Sequence, residues 1–191
     1  IKANVQHMAA QGEMLREPSV ATIGRQCARI DRLIRNLLVV SRARSKTLEI
    51  HTRPVALVPL IHAALEAIPD VPVRADLHGA VEVRADEQPL ALAIANLVHT
   101  VKRDAVPGAP LTMRLASNAW TVELAVQARL LAVADRTSVE TSDDEDLALS
   151  QCATLTIVEA HGGTTGTEEH DGERTSWIRL PLLGDDDHDR E

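Results

Sequence analysis

The chain has 191 residues, of which 45% are hydrophobic, and its formal net charge is −8. This length allows one good core or two small ones, and no apolar run approaches the roughly 20 residues that cross a bilayer. Acidic residues outnumber basic residues by 28 to 20, which argues against a nucleic-acid partner, because counterion release needs clustered Lys and Arg. With two Trp and no Phe or Tyr, the core must be aliphatic.

The first region, residues 1–46, is predicted to be a helical hairpin. Residues 1–16 have apolar positions at helical spacing, and Pro18 is placed to start a second helix. In that second helix apolar residues recur at spacings of 3, 4, 3, 4 and 3, which is typical of a coiled-coil seam. The seam residues are Val20, Ile23, Cys27, Ile30, Ile34 and Leu37.

Leu33, Leu38 and Val40 widen this apolar stripe beyond what one short partner helix can cover. We therefore expect the hairpin to pair with a second copy as a four-helix bundle, with the six seam residues at the dimer interface. The alternative is an ordinary amphipathic helix packed on its own domain. Both thiols, Cys27 and Cys152, lie in apolar helical patterns and are predicted to be buried.

From about residue 47, predicted strands and helices alternate in an α+β arrangement of two layers. The predicted helices cover 56–68, 87–104 with Asp86 as N-cap, and 147–163, which ends in "TIVEAHGG". The predicted strands are 48–55, two short strands within 71–86 that turn at His78-Gly79, a hairpin over 111–128, and 175–182. Residues 129–146 have no sustained period, and the acidic tail, 185–191, is predicted to be disordered.

Several phrases, in this order, resemble the sensor histidine kinase family. The phrase "RIDRLIRNLLVVSRARS" (29–45) resembles the second helix of that family's dimerisation and phosphotransfer hairpin. The N-box helix is matched by 83–115, and the end of the ATP-binding domain by "TIVEAHGG" and "WIRLPL". The resemblance implies a dimerisation hairpin at 1–46 and a sandwich of the Bergerat (GHKL) ATPase type at 47–184.

The same resemblance implies where the parts of a kinase should lie. The phosphoacceptor histidine would fall upstream of Ile1, and His7 does not match its position. In the N-box, the Asn that precedes the family's magnesium-holding position is kept as Asn96. The magnesium-holding position itself is Thr100, and Arg103 stands where the family usually has Lys. A hydroxyl is a poorer magnesium ligand here than an amide oxygen.

The other nucleotide positions depart further from the family. The Asp that reads adenine is replaced by Ala128, and the glycines after it by Leu130 and Ala132. At the Gly-rich loop that receives the triphosphate, the sequence reads Ala148, Leu149, Ser150 and Gln151, preceded by "DDED" (143–146). Acids before a helix stabilise its start and repel an anion.

These departures predict a degenerate kinase: a dimeric signalling module of a two-component system, acting through a response regulator or another kinase. We expect no catalytic residue, no bound ATP and no metal site, since the eight His are scattered singly. Two alternatives stay open. One is a divergent active kinase that uses ATP and Mg²⁺, and the other is a phosphotransfer protein with the kinase fold. The chain is predicted to be cytoplasmic, with any sensor or membrane segment upstream of Ile1.

Overall fold

The computed structural model describes residues 17–68, 71–131 and 141–183. The predicted first helix with His7, the position of Ala132 and the acidic tail lie outside these residues. The helices are α1 (Glu17–Arg44), α2 (Leu57–Glu66), α3 (Glu87–Arg103) and α4 (Thr141–Ala160). The strands are β1 (Arg53–Ala56), β2 (Val73–Asp76), β3 (Glu82–Ala85), β4 (Leu111–Ser117), β5 (Thr121–Arg129), β6 (Thr164–His170) and β7 (Glu173–Pro181). No helix in these ranges is long and apolar enough to cross a membrane.

The strands form a five-stranded sheet in the order β2-β4-β5-β7-β6 and a small sheet of β1 with β3. In the larger sheet β2 runs parallel to β4, and the other neighbours are antiparallel. One face of β5 is buried at every second residue, from Val122 to Ala128, and the apolar stripe of α3 packs in the same aliphatic core. The predicted two-layer α+β fold is therefore confirmed.

The strand predictions need three corrections. Strand β6 (Thr164–His170) was not predicted. The predicted strand 48–55 is shorter, because regular pairing begins only at Arg53. The two strands within 71–86 reverse at Gly79, which has a φ of +91°, but they do not pair with each other. Instead β3 pairs with β1, where the buried side chains of Val55 and Val83 face each other, and β2 joins the larger sheet. Four-residue strands carry too little local information to specify their partner.

The helix predictions also need corrections. Helix α4 begins at Thr141, so the acidic run lies inside its first turns and does not precede the helix. Asp86 occupies the N-cap of α3, but its side chain makes no capping bond and instead accepts a hydrogen bond from the backbone N–H of His51. The prediction of buried thiols is wrong: Cys27 is half-buried and Cys152 is exposed.

Helix α1 presents two different faces. Its seam is open to solvent in the described part of the chain, where Ile23, Ile30, Ile34 and Leu37 are 48–58% exposed. The neighbouring face, which includes the buried Asn36 and Val40, turns toward the sandwich, and polar side chains of α1 bond to α3 and α4. The seam is therefore available for a partner while α1 is attached to its own domain.

Gly163, just after α4, provides a test of how closely the end of α4 packs on β7. A Cβ there would collide with the carbonyl oxygen of Arg179 and lie 2.8 Å from Cδ2 of Leu180. We expect Gly163→Ala to lower the free energy of unfolding by about 1–3 kcal/mol, since the crowding atoms include backbone. Chemical denaturation measures this value.

The matched control is Gly24→Ala in α1, where a Cβ would meet nothing within 4 Å. That change is expected to stabilise the protein by about 0.5–1 kcal/mol, because Ala is the better helix former. A Gly163→Ala variant as stable as the parent would contradict the packing between α4 and β7.

Candidate functional site

Helix α1 is joined to the sandwich by a buried polar group that we call the amide cluster: Asn36, Asn96 and Ser150. The Nδ2 atom of Asn36 donates to Oδ1 of Asn96 at 3.2 Å and to Oγ of Ser150 at 3.1 Å. In return, Nδ2 of Asn96 donates to Oδ1 of Asn36 at 2.7 Å. All three side chains are buried, with 0–2% of their surface exposed. The cluster therefore joins α1, α3 and α4 at one point.

Two arginines extend this contact along α1. Arg32 donates from Nη1 to the Ser150 hydroxyl at 2.8 Å, and Arg29 donates from Nε to Asp146 at 2.7 Å. Together with Asn36 they recur at spacings of 3 and 4, so they lie on one face of the helix, beside the apolar seam. This second stripe was not predicted, although its spacing is readable in the sequence.

A second polar group surrounds Asp104, at the end of α3. Its carboxylate accepts a hydrogen bond from Nε of Arg103 at 3.0 Å and another from Arg174 on β7. Arg174 also pairs with Glu169, and Arg103 reaches Asp144 at the start of α4 at 2.8 Å. Burial opposes ionisation of Asp104, but the two arginines outweigh it and hold its pKa below the ordinary value.

A third group of basic residues lies between α1 and α3: Arg32 from α1, and His99 and Lys102 from α3. Burial, and then the positive charges of Arg32 and Lys102, lower the pKa of His99 to about 4. The imidazole is therefore neutral at pH 7. Burial also lowers the pKa of Arg32, against the attraction of Asp146.

The structure separates the six residues predicted at the nucleotide positions. Asn96 and Ser150 come together in the amide cluster, and Thr100 is buried one turn after Asn96 on α3. Arg103 belongs to the group around Asp104. Of the other two, Ala128 is buried in β5 opposite Arg174, and Ala148 is exposed on α4. Asn96, Arg103 and Ser150 are thus bonded to protein groups.

The architecture is the histidine-kinase fold: a long helix followed by a Bergerat-type sandwich. No protein-family model and no curated protein matches the sequence. Among 253 solved chains with a similar structure is the Acinetobacter baumannii histidine kinase AdeS, at 14% identity and a TM-score of 0.66, with 96% of this chain and 94% of that one covered.

A histidine kinase from Burkholderia phymatum is similar over the same shares of both chains, at 18% identity and a TM-score of 0.59. The mycobacterial sensor histidine kinase MprB matches 70% of this chain and 99% of its own, at 19% identity and a TM-score of 0.56. At these identities the likeness concerns the fold. It confirms the histidine-kinase fold that the sequence phrases implied.

The group around Asp104 gives a prediction about pH. Because the pKa of Asp104 is depressed in the folded protein, its stabilising effect is present above the unfolded pKa of about 3.9 and is lost as pH falls through the folded pKa. We expect Asp104→Asn to lower the free energy of unfolding at pH 7 by about 1–3 kcal/mol, and by less at pH 2.5. Denaturant unfolding at both pH values measures the difference.

The matched control is Glu123→Gln, which removes a more exposed carboxylate paired with Arg179. Its expected effect is below about 1 kcal/mol at pH 7. An equal effect of the two substitutions at pH 7, or an Asp104→Asn effect that does not shrink in acid, would contradict the account.

Proposed function

We propose that this chain is a non-catalytic, dimeric signalling module of a two-component system, which keeps the histidine-kinase fold without binding ATP. It would act by binding a response regulator or another kinase. The observation that carries the proposal is the amide cluster. Asn96 and Ser150, two of the polar groups aligned with the family's nucleotide positions, are both buried and bonded to Asn36.

Freeing these groups for a nucleotide has a free-energy cost. Asn36 would have to leave, and a buried amide or hydroxyl without its partner costs about 1–3 kcal/mol. Arg32 would also lose its bond to Ser150. A nucleotide therefore competes with α1 for the same donors and acceptors.

Electrostatics at the start of α4 also support loss of ATP binding. A helix N-terminus attracts a phosphate through free backbone N–H groups and the helix dipole. Here Asp144 and Asp146 occupy the first turns, where they pair with Arg103 and Arg29. At an effective dielectric of about 20, an unpaired acid some 6 Å from a phosphate charge costs roughly 3 kcal/mol before screening, and the arginine partners offset part of that cost.

The residues at the aligned adenine-binding positions also argue against ATP binding. Ala128, at the aligned position of the adenine-reading Asp, is 4% exposed and has no side-chain acceptor. Leu130, at a position where the family has glycine, is also buried, and its backbone N–H is bonded to the carbonyl of Gly172. A base would find neither a carboxylate partner nor the space that glycine leaves.

The dimer proposal rests on the α1 seam. Four of its large apolar side chains are about half exposed at helical spacing, and a contiguous exposed apolar stripe typically marks a protein interface. In the bundle geometry implied by the fold, hairpin helices of two copies cover each other's seams. The dimer would then present two sandwiches to its partner.

One alternative keeps a specific observation in its favour. A divergent but active kinase would use the retained amide of Asn96 and the cation of Arg103, with α1 as a removable cover. Weakening the amide cluster would then restore nucleotide binding. The two functions therefore predict opposite behaviour of one variant.

The first test is calorimetry of Mg·ATP with the parent protein and with Asn36→Ala, at concentrations that detect a dissociation constant near ~1 mM. We expect no binding in either, since Ala128, Leu130 and the acids of α4 remain after the cover is weakened. Arg42→Ala, an exposed position on the same helix, is the matched control for stability. Binding by Asn36→Ala alone would favour the covered kinase, and binding by the parent would refute the proposal.

The second test concerns the dimer. We expect the parent to have the mass of a dimer in sedimentation equilibrium, and Ile30→Asp or Ile34→Asp to make it monomeric, because each puts a charge into a desolvated seam. Leu155→Asp is the control, since Leu155 is 44% exposed on α4, away from the seam. An unchanged mass for both seam variants would contradict the interface.

A further inference from the structure

A cleft of about 790 Å³ lies between α1 and the pair of helices α2 and α3. Its size is in the range of small-molecule sites in proteins, about 300–1,000 Å³. On α3 it is lined by residues from Gln88 to Lys102 at helical spacing, which correspond to a length of about 21 Å. This face is separate from the one that carries Asn96, Thr100 and Arg103. The cleft therefore lies beside the aligned nucleotide positions and meets them at Arg32, which donates to Ser150.

The two walls of the cleft differ in chemistry. The wall from α2 and α3 is mainly apolar and made of small side chains, with the larger Leu92, Ile68 and Val71 among them. The other wall, from α1, is basic: its described lining residues include four arginines and one carboxylate, namely Arg25, Arg29, Arg32, Arg35 and Asp31. Lys102 of α3 adds a fifth cationic side chain. A matching occupant is apolar along one side and negative on the other.

Arg32 is the basic group best placed to receive an anion. Arg29 and Arg35 already have carboxylate partners, Asp146 and Asp31. The described hydrogen bond of Arg32 goes to the neutral hydroxyl of Ser150, and the half-buried guanidinium is also attracted by Asp146, whose carboxylate is bonded to Arg29. A half-buried guanidinium whose described bond is to a neutral group gains from a carboxylate of its own, since charge-assisted bonds are the strong ones.

The lining also narrows the class of anion. It contains no Phe, Tyr or Trp among the described residues, and the hydrogen-bonding groups of its α2–α3 wall are Gln88, His99 and Lys102. A nucleotide base would have only the imidazole of His99 to stack on there. An acyl chain needs only apolar contact, and the alanines of the floor, such as Ala64 and Ala95, leave room for it along α3.

We propose that this cleft binds a free fatty-acid-like carboxylate, with its head group at Arg32 and its chain along the α2–α3 floor. Because the two walls belong to the hairpin helix and to the sandwich, such a ligand joins them and stabilises the docked position of α1. The proposal does not rest on the loss of ATP binding, because its evidence is the lining of the cleft and its probe is a carboxylate without a nucleotide.

Charge and polarity favour this ligand over segments of the chain itself as the occupant of the cleft. Residues 1–16 carry Lys2 and Arg16 against Glu13, and α1 of a second copy is rich in arginine, so both are poorly matched to a basic wall. The tail, 184–191, is acidic but has no apolar side chain for the floor. An amphipathic carboxylate satisfies both walls.

The test is calorimetry of the full chain with dodecanoate below its micelle concentration, with dodecanol as the neutral probe. We expect one site per chain with a dissociation constant of about 10–100 µM for dodecanoate and at least about tenfold weaker binding of dodecanol. Arg32→Gln should weaken dodecanoate binding at least about tenfold. Arg42→Gln, on the same helix and outside the cleft, should leave it unchanged.

Arg32→Gln could also lose binding because α1 detaches from the sandwich, and a second variant distinguishes this from loss of the anion partner. Ala95→Glu puts a carboxylate on the floor near the basic wall, so it should abolish dodecanoate binding without lowering the melting temperature. Ala148→Glu, on the exposed side of α4, is its control. A peptide of residues 184–191 should not compete. The proposal would be overturned if dodecanoate did not bind, or if dodecanol bound as tightly as dodecanoate. It would also be overturned if Arg32→Gln bound dodecanoate as tightly as the parent, or if the peptide displaced dodecanoate.

Discussion

The position of α1 against the sandwich depends on one buried contact, in which the amides of Asn36 and Asn96 bond to each other and Asn36 also donates to the hydroxyl of Ser150. Buried polar groups tolerate little misplacement, because a partner lost by a small shift leaves a donor or acceptor unsatisfied. Apolar contacts alone would allow the helix to slide. The cluster therefore fixes the register of α1 on α3 and α4, and the ion pair of Arg29 with Asp146 extends that register outward.

Helix α3 has three faces, and each of them contacts a different part of the molecule. One face supplies the aliphatic core through Leu90, Ile94 and Val98. A second carries Asn96 and, at its end, Asp104 with its arginines, which tie α3 to α1 and β7. The third, with Ala95 and His99, opens toward the cleft. Where the family's nucleotide-binding groups are expected, this chain has bonds between its own elements.

Much of the fold could be predicted from the sequence because its signals are long. The repeat in α1, the apolar stripe of α3 and the alternation in β5 each extend over many residues, and each element was found. The pairing of β3 with β1 could not be predicted, since four residues such as 82–85 fit several neighbours. The start of α4 was placed too late because its first turns are acidic and polar and lack a hydrophobic period.

The candidate site was predictable in part, for a similar reason. Alignment by phrases brought out Asn96 and Ser150, but nothing local in either segment indicates that both bond to Asn36, about sixty residues or more away in the sequence. Such contacts are set by tertiary packing. The stripe of Arg29, Arg32 and Asn36 beside the seam was the available clue, because polar residues that share a helix face often share a partner surface.

The central claim is that α1 stays bonded to the sandwich when nucleotide is offered. Spin labels on Cys152 and on a cysteine introduced at Arg42, in a Cys27→Ser background and diluted with unlabelled protein, would report the distance between α1 and α4 by pulsed dipolar spectroscopy. The account predicts one distance population that is the same with and without about 5 mM Mg·ATP, a concentration above the ~1 mM range of weak binding. A second, longer population that appears with Mg·ATP would contradict it.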